Sequence, residues 1–154
     1  MKYLTLFTGI LFLFSACNNV NTSNTSSNSE IIPKDSSSSN TLNMCFQHVE
    51  GNRNQDTSYI HLILNNSIVT GQYDHIPYEK DSRKGIIKAV KTGNEIKGVW
   101  IYSQEGMQDS LDIAFKLQDS RLLQKPFSVD LSTGRQVLRD TSDYSIQYIK
   151  RSCK

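Results

Sequence analysis

Apolar and polar residues alternate at period two along much of this chain, and this pattern limits the folds open to it more than any other feature. Residues 58–64, SYIHLIL, place Ile60, Leu62 and Leu64 on one face of an extended strand and His61 on the other. No window sustains the i, i+3, i+4, i+7 spacing of an amphipathic helix over several turns. The sequence therefore predicts strands with one apolar face, and little helix.

Two further segments, SIVTGQY at 67–73 and EIKGVWIY at 95–102, repeat the alternation around a central glycine. The residues in phase on one face are Val69, Gly71 and Tyr73 in the first segment, and Ile96, Gly98, Trp100 and Tyr102 in the second. A glycine between large side chains often marks a bend in a curving sheet or a close approach of two backbones. We expect one or the other at both positions.

Turn residues separate these strands at short intervals, with NN at 65–66, TGN at 92–94 and STG at 132–134. Further strands are predicted at 84–91, 109–117, 121–124, 127–131, 136–139 and 145–150. Such spacing is typical of an all-β sandwich or barrel. We favour an antiparallel up-and-down β-barrel of about eight to ten short strands, because sequential hairpins need no long crossover.

The N-terminus has the layout of an export signal. Lys2 precedes an apolar run at 4–14, which is shorter than the ~20 residues of a transmembrane helix, and small residues follow at 15–16. Because this pair runs directly into Cys17, the segment resembles the lipobox of bacterial lipoproteins, although Phe14 stands where many lipoboxes have a smaller residue. The resemblance implies a signal peptide over 1–16 and a lipid on Cys17. A plain signal peptide is the alternative.

Residues 17–43 are rich in Ser, Asn and Thr, and a segment of that composition cannot bury enough apolar surface to fold by itself. We predict a lipidated cysteine followed by a disordered tether, with one folded domain over 44–154. With Cys17 assigned to lipid, Cys45 and Cys153 remain, and export would place both in an oxidising compartment. A disulfide between them is expected, with two free thiols for metal or redox work as the alternative.

At residues 78–117 the chain resembles a family of small Bacteroidetes lipoproteins of uncharacterised function, which have a lipocalin-like β-domain. The matching features are the acidic-basic EKD at 79–81, Gly85, Gly98 with Trp100, Ser103 with EG at 105–106, and Phe115. The resemblance implies a lipocalin-like barrel and a membrane-anchored location. It implies no activity.

Charge and motifs exclude several classes of function. The chain has 17 basic and 15 acidic residues, scattered without the basic stripe that nucleic-acid binding needs. It contains no nucleophile elbow, no H-E-x-x-H and no glycine-rich phosphate loop, so we expect no enzyme and no cofactor. His48, His61 and His75 lie on or near successive strands but lack the spacing of a known metal site, so no metal is predicted.

The leading hypothesis is a lipid-anchored single domain that binds a small or apolar ligand, or an envelope component, in or at the mouth of the barrel. Its predicted contacts are Tyr73, Trp100, Tyr102 and Glu105, the last in a turn at the barrel mouth. We expect the domain to be a monomer facing the periplasm, with the cell surface as the alternative location. The charged run at 79–84 is interpreted as a solvated hairpin tip.

Two other functions stay open at this point. One is a protein-binding module, such as an inhibitor or an envelope-assembly factor, that acts through loops at 79–84 or 104–109. The other is metal sensing through the three histidines, which would require them to converge in the fold.

Overall fold

The computed structural model describes residues 41–139, 141 and 143–153. The predicted signal peptide, Cys17 and nearly all of the predicted tether lie outside the described residues. No helix in the described part of the chain could span a membrane. The strands are β1 (Thr41–Glu50), β2 (Asp56–Asn65), β3 (Ile68–Ile76), β4 (Arg83–Thr92), β5 (Glu95–Gln104), β6 (Met107–Leu117), β7 (Arg121–Gln124), β8 (Phe127–Val129), β9 (Gln136–Leu138) and β10 (Ile146–Arg151).

Eight of these strands form a closed barrel in the order β1-β10-β7-β6-β5-β4-β3-β2, and every neighbouring pair is antiparallel. The prediction of an all-β antiparallel barrel is therefore confirmed. From β1 to β7 each strand pairs with the next along the chain. The β8–β9 hairpin then forms a separate two-stranded sheet, and β10 closes the barrel between β7 and β1.

Several predicted strand boundaries differ from the structure by one to three residues, and two of the differences have a clear physical cause. β1 begins at Thr41, inside the predicted tether, because the segment pairs with β2 as far as the Thr41 to Asn65 register. β8 ends at Val129 and does not continue to residue 131. It ends there because the Asp130 carboxylate accepts hydrogen bonds from the backbone N–H of Ser132 and Thr133, which starts the turn.

The interior of the barrel is a packed core to which every barrel strand contributes. Its buried members are Phe46, Ile60, Leu62, Leu64, Val69, Tyr73, Ile87, Ala89, Ile96, Trp100, Tyr102, Leu111, Ile113, Phe115, Leu122 and Tyr148. The predicted apolar faces of β2, β3, β5 and β6 all point into this core. Side chains occupy the space that a ligand would need in a wider barrel, so a binding site has to be sought at the barrel ends.

The two in-phase glycines lie where neighbouring backbones approach closely, as predicted. A Cβ on Gly98 would lie 2.2 Å from the carbonyl oxygen of Lys88 and 2.4 Å from the Cα of Ala89. A Cβ on Gly71 would lie 1.8 Å from the carbonyl oxygen of His61. These contacts exclude any side chain, so glycine permits the tight curvature at both positions.

Cys45 and Cys153 form the predicted disulfide, with their Cα atoms 5.2 Å apart and a sequence separation of 108 residues. Cys45 lies on β1 opposite Arg151 of β10. The bond therefore links the first and last strands of the barrel at the seam where the chain closes on itself.

Candidate ligand site at one end of the barrel

A cavity of about 230 Å³ opens at the end of the barrel where β1 and β3 finish and β2 and β4 begin. We call it the mouth pocket. Its lining residues are His48, Glu50, Ser58, Tyr73, His75, Arg83, Trp100, Gln124, Pro126, Phe127, Gln136, Ile146 and Tyr148. They come from seven barrel strands and from the β8–β9 hairpin with the residues before it, so the pocket exists only when the barrel is closed.

The buried polar side of the mouth pocket is formed by Tyr73, Gln124 and Tyr148. The Tyr148 hydroxyl donates to Gln124 Oε1 at 2.8 Å, and the Tyr73 hydroxyl lies 3.3 Å from the same oxygen. The two hydroxyl oxygens are 3.0 Å apart. Burial raises the pKa of Tyr73, and it raises the pKa of Tyr148 well above its usual range. Both side chains therefore stay neutral and keep their donor protons.

Gln124 carries a buried donor that these bonds leave unused. Its side chain is 0% exposed, and its Nε2 has no hydrogen-bond partner among the described residues. In the structure the two tyrosine hydroxyls lie at Oε1, and the N–H groups of Nε2 are unpaired among the described residues. A buried amide without a partner costs about 1 to 3 kcal/mol. Because Gln124 lines the mouth pocket, a hydrogen-bond acceptor bound there could satisfy it.

Ser58 and His75 form a second polar pair in the mouth pocket, on paired positions of β2 and β3. Ser58 Oγ and His75 Nδ1 share a hydrogen bond of 2.9 Å. Burial lowers the pKa of His75, and the positive charge of Arg83 lowers it further. Among the described residues no carboxylate bonds to His75, so the pair lacks the acid that completes a catalytic triad.

The side chains of His48 and Glu50 contact each other at the rim of the mouth pocket. His48 Nδ1 lies 2.7 Å from the carbonyl oxygen of Gln147, and its Nε2 lies 3.2 Å from Glu50 Oε2. A carbonyl and a carboxylate are both acceptors, so only the doubly protonated ring donates to both at once.

An aromatic stack forms one wall. The Tyr73 and Trp100 rings are stacked with centroids 4.2 Å apart, and Trp100 Nε1 donates to the carbonyl oxygen of Tyr73 at 2.9 Å. Tyr102 continues the stack, 4.5 Å from Trp100. The Arg83 guanidinium lies over the Tyr102 ring at 5.1 Å from its centroid, a cation–π contact that holds the guanidinium at the pocket.

Arg83 is the first residue of β4, and it is half-buried. Its Nε donates to Gln104 Oε1 at 2.7 Å, and its Nη1 donates to Gln136 Oε1 in the β8–β9 hairpin. Both acceptors are neutral amides. In the part of the chain that the structure describes, no carboxylate pairs with Arg83. Among the described residues, the Arg83 charge at the mouth pocket therefore has no carboxylate bonded to it.

The β8–β9 hairpin covers one side of the mouth pocket with Phe127 and Gln136. Arg135, beside Gln136, forms an ion pair of 2.8 Å with Asp109 of β6. Hydrogen bonds from Ser132 and Thr133 lower the pKa of Asp130 and organise the turn between the two strands. The hairpin is thus tied to the barrel through both Arg135 and the Arg83 to Gln136 bond.

The structure brings together two of the four predicted contact residues. Tyr73 and Trp100 line the mouth pocket, and Tyr102 lies behind them in the aromatic stack. Glu105, the fourth, is not among the residues that line the pocket. It is exposed and has φ 50°, and with Gly106 at φ 79° it forms the two-residue turn between β5 and β6.

Sequence reasoning missed the pocket's main polar groups. The run at 79–84 was predicted to be a solvated tip, which holds for the exposed residues 79–81 but not for Arg83. The alternation on β7 could have identified Gln124, because it is in phase with the buried Leu122 and therefore is a polar residue at an inward position. Ser58 is likewise in phase with Ile60.

The three histidines do not converge, which contradicts the arrangement that metal sensing would require. His48 and His75 line the mouth pocket, whereas His61 lies on the outer face of β2 opposite Cys45. Among the described residues, one group has the proximity of a metal site, formed by Cys45, His61 and Cys153. Both sulfur atoms of that group are bonded to each other, so they are not available as thiolate ligands.

A second cavity, of about 600 Å³, lies at the opposite end of the barrel. It is lined by Met44, Lys91, Asn94, Leu117, Gln118, Asp119, Ser120 and Arg121. None of these side chains is fully buried. The mouth pocket differs because its lining includes buried polar groups, and such groups are what give a site specificity.

No protein-family model matches the chain, and no curated protein and no solved structure is significantly similar to it. The fold and the site by themselves define a small antiparallel β-barrel with a packed interior and a polar-aromatic pocket at one end.

Proposed function

We propose that this protein is a lipid-anchored binding protein of the bacterial cell envelope, whose barrel takes a small molecule in the mouth pocket. The observation that carries the proposal is the unpartnered Nε2 of Gln124, a fully buried donor on a residue that lines the cavity. The cavity of about 230 Å³ is below the ~300–1,000 Å³ of sites for drug-sized ligands. The ligand is accordingly small.

Native mass spectrometry of the full-length protein, purified oxidised in detergent from its own membranes, tests this proposal. We expect a defined additional mass that disappears on denaturation. The same measurement on a Tyr73→Ala variant should lose that mass, since Tyr73 supports both the aromatic wall and the polar side of the pocket. An apo mass for the wild-type protein would contradict the proposal.

The anchor is supported by the sequence, in which the apolar run at 4–14 and the small pair at 15–16 precede Cys17. We expect the mature chain to begin at Cys17 with a diacylglycerol or triacyl mass on that residue. Replacing it, Cys17→Ala, should move the protein from the membrane fraction to the soluble fraction. A wild-type chain that is soluble and begins elsewhere would contradict the anchor and leave the pocket proposal intact.

Binding, not catalysis, is the proposed role of the Ser58 and His75 pair. The serine lies in the interior of a paired strand and is 4% exposed, and no acid orients the histidine among the described residues. We expect no turnover of p-nitrophenyl acetate above background. Turnover that a Ser58→Ala variant lacks would contradict the non-catalytic assignment.

A protein partner at the loops is the second candidate. It is supported by exposed apolar side chains near the pocket end, since Leu131 in the hairpin turn is 97% exposed and Met107 at the start of β6 is 70% exposed. A partner that is lost in a Leu131→Ser, Met107→Ser variant, with the mouth pocket unoccupied, would favour this function.

A further inference from the structure

We infer that the ligand of the mouth pocket is a small organic acid, bound by its carboxylate to Arg83 and Gln124 with its apolar or aromatic body against the Trp100 wall. This inference rests on the proposed function of the pocket and names the chemical class that the site recognises. Three properties of the lining residues carry it.

The first property is the charge of the lining. Arg83 is half-buried, it bonds to two neutral amides, and it has no carboxylate partner among the described residues. Glu50, the acidic residue of the lining, has His48 Nε2 as its partner at 3.2 Å. A guanidinium with free N–H donors matches a carboxylate, because its planar donors suit the two oxygens.

The second property is the direction of the unused hydrogen bonds. Gln124 Nε2 offers donors and no acceptor, and Tyr148 and Tyr73 have already directed their hydroxyls to Gln124 Oε1. An acceptor on the ligand would satisfy this unpaired group. A carboxylate oxygen is an acceptor, whereas an ammonium or guanidinium group on a ligand would repel Arg83 and leave Gln124 Nε2 unpaired.

The third property is shape. The stacked rings of Tyr73 and Trp100 and the Phe127 side chain give the pocket apolar surface beside its donors. The packed core below the pocket leaves no room for a long acyl chain to enter the barrel. The ligand body is therefore short, comparable to a benzoate ring or a branched short-chain acid.

Isothermal titration calorimetry of the full-length protein, purified in detergent, tests the inference with matched acid and amide probes. The acids are acetate, benzoate and cyclohexanecarboxylate, and each is compared with its own neutral primary amide. We expect at least one acid to bind with a stoichiometry of one, and its amide to bind at least about tenfold more weakly, since only the acid makes a charge-assisted bond to Arg83.

Two substitutions and their matched controls place the binding at the mouth pocket. Arg83→Met and Gln124→Met should each weaken the binding of the acid by at least about tenfold. Lys84→Met removes the next cation along β4, and Gln72→Met removes an exposed amide on β3. Both controls should bind the acid within about twofold of the wild-type affinity. If Arg83→Met loosens the hairpin, Gln124→Met still tests the site, because Gln124 makes no bond to the hairpin.

The outcomes separate this inference from the proposed function. An acid that binds more tightly than its amide and depends on both residues supports the inference. Equal affinity for acid and amide, or acid binding that survives both substitutions, overturns it. If no acid binds while native mass spectrometry shows a neutral molecule in the pocket, the inference is wrong and the proposed function holds. If no acid binds and the protein is also apo, both fail.

Discussion

The hydroxyl oxygens of Tyr73 and Tyr148 lie 3.0 Å apart inside the barrel, although the two residues are 75 positions apart in the chain. Their rings meet edge to face, with centroids 6.3 Å apart and an interplanar angle of 87°. This contact joins β3 to β10 across the barrel, beneath the mouth pocket. The closing strand therefore contributes to the site as well as to the fold.

Removal of one hydroxyl should weaken the fold measurably. In Tyr148→Phe the Gln124 Oε1 atom loses its 2.8 Å donor, while the ring and its packing remain. We expect a loss of about 1 kcal/mol in the free energy of unfolding, measured by urea denaturation. Tyr78→Phe is the control, because Tyr78 is 57% exposed and should change stability by less than about 0.5 kcal/mol. Equal effects of the two changes would contradict a role for the buried hydroxyl.

Gln124 should contribute little to stability for a residue that is so deeply buried. Gln124→Met keeps the length of the side chain, removes the unpartnered Nε2, and leaves Tyr148 bonded to Tyr73. We expect the unfolding free energy to change by less than about 1 kcal/mol. Its neighbour in phase, Leu122, provides the comparison, since Leu122→Ala should cost about 3 kcal/mol. A comparable loss for Gln124→Met would mean that its amide is needed for folding and not for binding.

The close approach at Gly98 should make this position intolerant of any side chain. Gly98→Ala would place a Cβ 2.2 Å from the carbonyl oxygen of Lys88, so the strands must separate. We expect a loss of about 3 kcal/mol, the upper range for overpacking. At Gly93 no heavy atom lies within 4 Å, so Gly93→Ala should cost only the ~1 to 2 kcal/mol of its left-handed backbone. The two unfolding curves distinguish crowding from backbone strain.

The Cys45 to Cys153 disulfide should stabilise the barrel strongly, because it closes a loop with a sequence separation of 108 residues. Loop-closure entropy predicts a loss of about 4 to 5 kcal/mol when both residues are replaced by serine. Guanidinium denaturation of the oxidised protein and of the double variant measures the difference. A loss below about 1 kcal/mol would show that the β1 to β10 ladder holds the seam closed without the covalent bond.

His75 should make stability depend on pH. Burial lowers the pKa of His75 in the folded chain, and Arg83 and His48 lower it further, while Glu50 and Asp56 oppose the shift. The unfolded chain therefore binds a proton at this ring more readily than the folded chain does. Stability is complete above the unfolded pKa of about 6.5 and falls as the pH drops toward the folded pKa.

Urea denaturation at about pH 7.5 and about pH 5 measures this effect. The wild-type protein should lose more stability between the two values than His75→Gln does, since the variant has no titrating ring at that position. All other titratable groups are the same in both proteins, so the comparison isolates the effect of His75. Parallel losses in the two proteins would show that His75 is not responsible.

Local pattern predicted the barrel well because its signals lie within single strands. Ile60, Leu62 and Leu64 are buried as their alternation indicates, and Trp100 is buried in phase with Ile96. The disulfide followed from the number of cysteines once one was assigned to lipid. Turn residues were also informative, since Asn66 and Gly93 both have positive φ in two-residue connections.

The site was harder to predict from the sequence, because its polar residues interrupt the apolar alternation that predicted the strands. Arg83 follows a run of exposed charges and precedes the strand predicted at 84–91, and nothing in its neighbours shows that its guanidinium lies over Tyr102. Glu105 has the residue type of a binding group, but its place in a tight turn keeps it out of the pocket.

The sequence by itself determined the strands, their buried faces and the cysteine pair, since each depends on neighbours in the chain or on a count. Only the tertiary structure decided that Arg83, Gln124 and Trp100 line one cavity. Closure of the barrel sets which strands become neighbours and where their ends meet. It therefore decides whether an inward polar residue is buried in the core, where it would destabilise the fold, or lies at the end of the barrel. The unpaired amide of Gln124 is a candidate ligand contact because Gln124 lines the pocket at that end.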